Sequence, residues 1–271
     1  MQAGVRGNFE EEIEVVLTKA FSRFATVDSR RLLQFWIDML SGKNFTIGEV
    51  ESRMLQMFQF TVWQKSYEEC GFTSLLEGIA AIHNNPILCA ELIELLKYKY
   101  NHIDFIDQPI VLGFECPLDV HCTYTRDQIL VALDFLKPAT VREGVKYLPD
   151  KKIDIAFVTL NKSDKDYSPT TMYNDYSINE TMFHWQSQST TSESSATGQR
   201  YIHHKENSST FLLFVREFKT DRVSGAAGAY TFLGKANYLQ HEGSRPMNIV
   251  WQLESAIPAK FIKKTNKLLI G

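Results

Sequence analysis

Ile153-Asp154-Ile155-Ala156-Phe157-Val158-Thr159-Leu160 and Phe211-Leu212-Leu213-Phe214-Val215-Arg216-Glu217-Phe218 are short apolar runs bounded by turn residues. Runs of this length, rich in β-branched and aromatic side chains, read as strands. The same reading places strands at Gly144 to Leu148, Asn174 to Gln186, Tyr230 to Tyr238 and Asn248 to Leu253. Their separators are Pro149-Asp150, Asp164-Lys165-Asp166, Ser168-Pro169, Asn207-Ser208-Ser209, Gly225 to Gly228 and Gly243-Ser244-Arg245-Pro246, all rich in turn formers. Strands that follow one another without intervening helices predict an antiparallel sheet or small barrel rather than a parallel α/β sheet.

Upstream, the period changes to that of helices. Glu10-Glu11-Glu12 precede an apolar stripe of Ile13, Val16, Leu17, Ala20, Phe21 and Phe24, so acids meet the positive end of a helix dipole. Asp28 or Ser29 can cap a second helix that Gly42 stops, and Thr46 with Glu49 has the spacing of a capping box for a third. Segments Ser74 to His83 and Pro86 to Tyr98 complete a helical bundle. A capped segment from Thr125 or Asp127 to Leu136 interrupts the later, strand-rich half. Pro258 to Leu269 reads as a closing helix with a solvated basic face of Lys260, Lys263, Lys264 and Lys267. The fold class is therefore α+β, with a helical bundle over 1–112 and a β-rich domain over 113–271.

A chain of 271 residues with 44% apolar content can bury a large core. It contains no apolar run of bilayer-spanning length and no signal-peptide pattern at Met1, from which a cytoplasmic protein without membrane partners is expected. Cys70, Cys89, Cys116 and Cys122 form no Cys-x-x-Cys pair, so buried free thiols are expected and no metal site. Residues 1–137 carry 12 Lys+Arg against 19 Asp+Glu, which is −7, and residues 138–271 carry 17 against 13, which is +4. The basic half is compatible with phosphate contact, though the excess is small. Phosphate-loop, dinucleotide-binding, His-Glu-x-x-His and Gly-x-Ser-x-Gly motifs are missing, which excludes an ATPase, dinucleotide enzyme or hydrolase of those types.

Phe183-His184-Trp185-Gln186-Ser187-Gln188, then Ser189-Thr190-Thr191, then Gly198-Gln199-Arg200-Tyr201-Ile202 supply ring faces, amide edges and a cation in one stretch. Such chemistry suits a flat polar ligand such as a nucleobase. It suits equally an amphipathic core strand with Trp and Phe inward, and the Ser189 to Thr197 run is equally a plain polar loop. His203-His204, read as neighbours on a strand, point to opposite faces and make a poor metal pair. One catalytic constellation remains: Asp154 on one strand with Glu217 and Lys219 on another, the pattern by which nucleases hold a divalent ion and activate water.

The runs His121-Cys122-Thr123-Tyr124-Thr125-Arg126, Arg142-Glu143-Gly144-Val145-Lys146-Tyr147, Phe157-Val158-Thr159-Leu160-Asn161-Lys162 and Asp166-Tyr167-Ser168-Pro169-Thr170-Thr171-Met172-Tyr173 resemble the uncharacterised C-terminal module of bacterial DEAD/DEAH-box helicases. So do Phe183 to Gln188, Gly198 to Ile202, Tyr230 to Gly234 and His241 to Met247, a likeness that covers roughly 115–254. The resemblance implies helicase motor domains, and a phospholipase-D-like nuclease domain, ahead of Met1 in a restriction or phage-defence protein. ATP and Mg would belong to those domains, and no cofactor to this module.

The segment from Phe211 to Trp251 is also similar to the end of the small PUA/SRA-like barrels with which restriction systems read modified DNA bases. That likeness implies stacking by Trp185, Tyr201 and Tyr230, base-edge contacts by Gln186 and Gln188, and phosphate contacts by Arg200, Arg216 and Arg245. The expected function is a non-catalytic DNA-recognition module, for modified or structured DNA, that serves a motor and nuclease in the same polypeptide. A metal-dependent nuclease using Asp154, Glu217 and Lys219, or a scaffold that docks on the motor, are the alternatives.

Overall fold

The computed structural model describes residues 3–161, 175–221 and 225–266, with side chains described between 12 and 262. The turn signals at 164–166 and 168–169, the whole run Asp166 to Tyr173, the side chains of Lys263 and Lys264, and Lys267 lie outside the described residues. The chain divides into two compact units, Met1–Val141 and Arg142–Gly271. The break falls later than the expected 112/113, because the segment beyond 112 is bonded into the helices. Gln128 Nε2 donates to Thr61 Oγ1 at 2.9 Å in the buried interior, and Arg53 pairs with Asp134 at 2.9 Å.

In the first unit, α1 (Ala3–Phe24), α2 (Arg30–Leu40), α3 (Glu49–Trp63), α4 (Leu75–His83) and α5 (Pro86–Asn101) follow the expected order. Helix α1 begins before Glu10, so the acid run sits within the helix rather than in its first turn. Ser29 caps α2 by accepting from Leu32 N–H. Gly42, at φ 73°, and Lys43 close the same helix by donating to Met39 O and Asp38 O, the paired bonds of a Schellman stop. The cap of α3 is Gly48 rather than Thr46: Gly48 N–H donates to Glu51 Oε2 at 3.1 Å, and glycine has no oxygen with which to complete the reciprocal half.

After β1 (Gln108–Pro109), β2 (Asp119–Val120) and β3 (Thr123–Tyr124), α6 (Arg126–Ala132) opens on a complete Thr125/Gln128 capping box. The interior is packed by Phe24, Trp36 and Phe58, whose ring centroids lie 5.4–5.7 Å apart. No single helix among the described residues is long and apolar enough to cross a membrane.

The second unit is built on β4 (Val145–Leu148), β5 (Ile153–Thr159), β6 (Tyr176–Ser177), β7 (Met182–Gln186), β8 (Thr210–Arg216), β9 (Tyr230–Glu242) and β10 (Asn248–Leu253), with α7 (Ala196–Ile202) and α8 (Ala259–Asn266). Their spatial order is β4-β5-β8-β9-β10-β7-β6. The sheet is mixed, since β5 and β8 run parallel from Ile153↔Thr210 to Thr159↔Arg216 while its other pairs are antiparallel. It is also open, with β4 and β6 at its edges among the described residues, so the small barrel is not what forms.

A parallel pair needs a crossover, and here that connection carries β6, β7 and helix α7, which the sequence does not predict. His203 and His204 accordingly end a helix instead of alternating along a strand. The expected strand Asn174 to Gln186 is a hairpin, because Asn179 Oδ1 accepts from the N–H groups of Thr181 and Met182 at 2.9 and 2.8 Å and turns the chain.

One face of the sheet holds Ala156, Val158, Phe183, Phe211, Leu213 and Trp251 in a single buried cluster with Tyr201 of α7 and Phe261 of α8. Gly198 lets α7 pack against the turn that leads into it: a Cβ there would sit 2.0 Å from Ser192 O.

Candidate functional site

Three elements converge where β4 meets β5. Tyr147 and Asp154 are direct cross-strand partners, so their side chains share a face of the sheet. Helix α7 runs above them, anchored by the buried ring of Tyr201, and the neighbouring Arg200 reaches down between the two. Its Nε donates to Asp154 Oδ2 at 2.7 Å and its Nη2 to Asp154 Oδ1 at 2.8 Å. Its Cζ lies 3.8 Å from the centroid of the Tyr147 ring, a stacked cation–π contact. Burial pushes the Asp154 carboxyl above its ordinary value, and the bonds from Arg200 oppose that.

Tyr147 and Arg200 border a surface concavity of about 600 Å³, whose wall also presents Lys152, Gln199, His203 and Asn207, while Asp154 lies buried behind them. Lys152 stands at φ 52° where a short turn ends, exposed and without an ion-pair partner among the described residues. His203 Nδ1 meets Glu206 Oε2 at 2.8 Å on the rim. The cations Lys152 and Arg200 and the anion Glu206 thus line the opening with a planar aromatic and planar amides. The arrangement can hold a flat, polar molecule by stacking and directed hydrogen bonds.

The other expected site residues are placed differently. Trp185, Tyr201 and Tyr230 are 4%, 1% and 4% exposed. The faces of Trp185 and Tyr201 are taken by each other, by Phe211 and by Trp251, with centroids 5.4–6.4 Å apart, and Tyr230 packs on Phe157. None of the three offers a face to a base, because alternating aromatics on this strand fill the core. Gln186 Nε2 bonds Asn248 Oδ1 at 3.2 Å, and Gln188 Nε2 bonds the Glu143 carboxylate. Arg216 is held by Thr159 Oγ1 at 2.9 Å and Gly228 O at 3.1 Å beneath the Tyr230 ring, which removes it from phosphate contact. Arg245 is exposed in the turn before β10, and its side chain has no partner among the described residues. Of the expected set, Arg200 alone lines the concavity.

The nuclease constellation does not assemble. Asp154 lies level with Phe211, whereas Glu217 follows the last paired residue of β8. At ~3.3 Å per residue, the two carboxylates are separated by about 20 Å along the strands, too far to share an ion. Asp154 is moreover engaged by Arg200 on both oxygens. In the first unit, ligand atoms of Asp107, Asp119 and Cys122 lie within 4.8 Å of one another. Arg30 and Arg31 pair with those carboxylates at 2.7 Å, and burial pushes the Cys122 thiol far up, away from the thiolate a metal would need.

What sequence reasoning missed is Tyr147, Lys152 and Asn207, which come from two strand ends and a helix-to-strand loop. The available signal was the register of β4 on β5, which needs the pairing itself.

No curated protein matches the chain. Among solved structures, the DNA recognition domain of the cytosine modification-dependent restriction endonuclease LpnPI aligns over 60% of this chain and 82% of its own, with 10% identity and a TM-score of 0.33, a likeness too slight to specify a fold. Residues 118–264 match the model of a family described as a domain of unknown function, DUF3427. That match takes in more than half of the sequence, beginning within the first unit and running through most of the second, and the chain belongs to the DUF3427 family.

Proposed function

We propose that the Arg142–Gly271 unit is a non-catalytic DNA-recognition module whose contact surface is the concavity beside β4 and α7. The observation that carries this reading is the Tyr147–Arg200–Asp154 arrangement, in which a guanidinium is fixed on a ring and against a carboxylate while it borders an open, mixed-polarity hollow. Lys152 on the same wall supplies a charge for a nearby phosphate, Asn207 supplies a paired donor and acceptor, and Gln199, whose Nε2 donates to Glu193 O at 2.9 Å, supplies its Oε1 and second amide hydrogen.

The reading extends to context. The motif runs that resemble the C-terminal module of DEAD/DEAH-box helicases suggest that the module presents DNA to a motor and nuclease in the same polypeptide, where ATP and Mg would act. The module itself would bind, and the energy-consuming step would occur elsewhere.

Fluorescence anisotropy of the whole chain with labelled single-stranded and duplex DNA, across a salt series, tests it. Affinity should fall as salt rises, and Lys152→Ala should weaken binding and flatten that dependence. Absence of binding at low salt would refute the reading.

A further inference from the structure

The chemistry of Arg200 says more about what enters the concavity, an inference that rests on the DNA-recognition reading. A guanidinium has five N–H donors in one plane. Nε and one hydrogen of Nη2 are committed to Asp154, and the Tyr147 ring covers one face. Nη1 and the outer hydrogen of Nη2 make no bond among the described residues, and together they form a two-pronged fork at the tip of a side chain that borders the hollow. Asp154 does two things to this fork. It removes the freedom of the long side chain, and it cancels the net charge, leaving directional N–H dipoles.

A neutralised guanidinium attracts a phosphate weakly compared with a free one, but keeps its geometric preference for two adjacent acceptors. On nucleic acid that preference separates the bases. Guanine presents O6 and N7 side by side, adenine presents N7 next to the N6 donor, and thymine presents one carbonyl beside a methyl group. On the rim Glu206 is held by a hydrogen bond with His203 at 2.8 Å, and Lys152, with no ion-pair partner among the described residues, is the charge on the wall open to a backbone phosphate.

We infer that the concavity reads a base edge, that Arg200 is its guanine-selective donor through O6 and N7, and that Asp154 and Tyr147 are the positioning residues. Lys152 then takes the flanking phosphate.

The test uses the full chain and labelled oligothymidine strands that carry at one position deoxyguanosine, 7-deazadeoxyguanosine, or deoxyadenosine. Phosphate number and strand length are identical, so backbone binding cancels. Wild-type protein should bind the deoxyguanosine strand roughly five-fold or more tightly than the other two, the lower end of one bidentate contact. Arg200→Lys, which keeps the charge and loses the fork, should bind all three alike, and Tyr147→Leu should blunt the preference if the lysine variant does not fold.

Equal, salt-dependent binding of the three strands by wild-type protein would overturn the guanine inference and leave the DNA-recognition reading standing. A preference that persists in folded Arg200→Lys would overturn the role of Arg200. Failure of every strand to bind would remove both.

Discussion

Arg200 and Asp154 are joined by two parallel hydrogen bonds, 2.7 and 2.8 Å long, between a helix and a strand that are 46 positions apart in sequence. Asp154 is almost fully buried and Arg200 is one-fifth exposed, so this is neither a surface ion pair nor a fully desolvated one. A surface pair contributes little, and a pair with one buried member is costly to break from one side, because the remaining charge has nowhere to go. A double-mutant cycle with Asp154→Asn and Arg200→Gln, read by urea unfolding, should give a coupling of about 1–3 kcal/mol. Additive effects would mean that the two side chains do not stabilise one another.

Gly198 controls where Arg200 sits. A methyl group at this position meets Ser192 O at 2.0 Å and Met247 Sδ at 3.0 Å, and the first of these is backbone. Gly198→Ala should therefore push α7 away from the Ser192 turn that leads into it and from Met247, and cost about 1–3 kcal/mol, despite the better helix propensity of alanine. Thermal unfolding checks the stability. Loss of DNA affinity without loss of secondary structure by circular dichroism would show that the helix carries Arg200 with it.

The same glycine explains why part of this unit was hard to read from sequence. Ala196 to Ile202 is short and has a glycine at its third position, so its local preference is not helical, and tertiary packing of Tyr201 decides the outcome. By contrast, Pro86 marks its helix start directly, and the pairs Asp28 or Ser29 and Thr125 or Asp127 mark theirs to within two residues, since a cap is a contact between residues two or three apart. Strand β10 was legible to the residue, and β4, β5 and β8 to within two, because turn residues bracket them. The parallel pairing of Ile153 with Thr210 joins residues 57 positions apart, and no local pattern encodes it. For Trp185 the residue types were compatible with a pocket and a core, and only burial distinguishes them.

Trp185 should accordingly behave as a core residue. It lies against Tyr201, Phe211 and Trp251, and truncation to alanine would leave a large cavity among rings with no means of collapse. Trp185→Ala should cost about 3–5 kcal/mol in chemical denaturation. Trp185→Phe, which keeps most of the apolar volume, should recover much of that stability and leave DNA affinity at the wild-type level. A selective loss of binding in a fully stable Trp185→Phe protein would reinstate the ring as a contact residue.

His204 supplies a pH dependence with a definite sign. Its Nε2 accepts the backbone N–H of Tyr238 at 3.0 Å, so the proton must reside on Nδ1, which donates to Ser209 O at 3.1 Å. The bond from Tyr238 requires the neutral ring, whereas donation to Ser209 O survives protonation and favours it; burial outweighs that and holds the imidazole below its ordinary value. The groups around it are Asp154 on β5 and Glu254 beyond β10, which favour protonation, and Lys205, which opposes it. In the unfolded chain the ring binds a proton near pH 6.5, while the folded chain resists doing so. Stability from this residue is therefore complete above about pH 6.5 and declines as the pH falls from there toward the lower folded value. Urea unfolding from neutral to mildly acidic pH should show wild-type stability falling more steeply than that of His204→Gln. The variant starts lower at neutral pH but has nothing at this position to titrate. Parallel curves would mean that His204 takes up its proton alike in the folded and unfolded chains, and that the bond to Tyr238 does not hold the ring neutral.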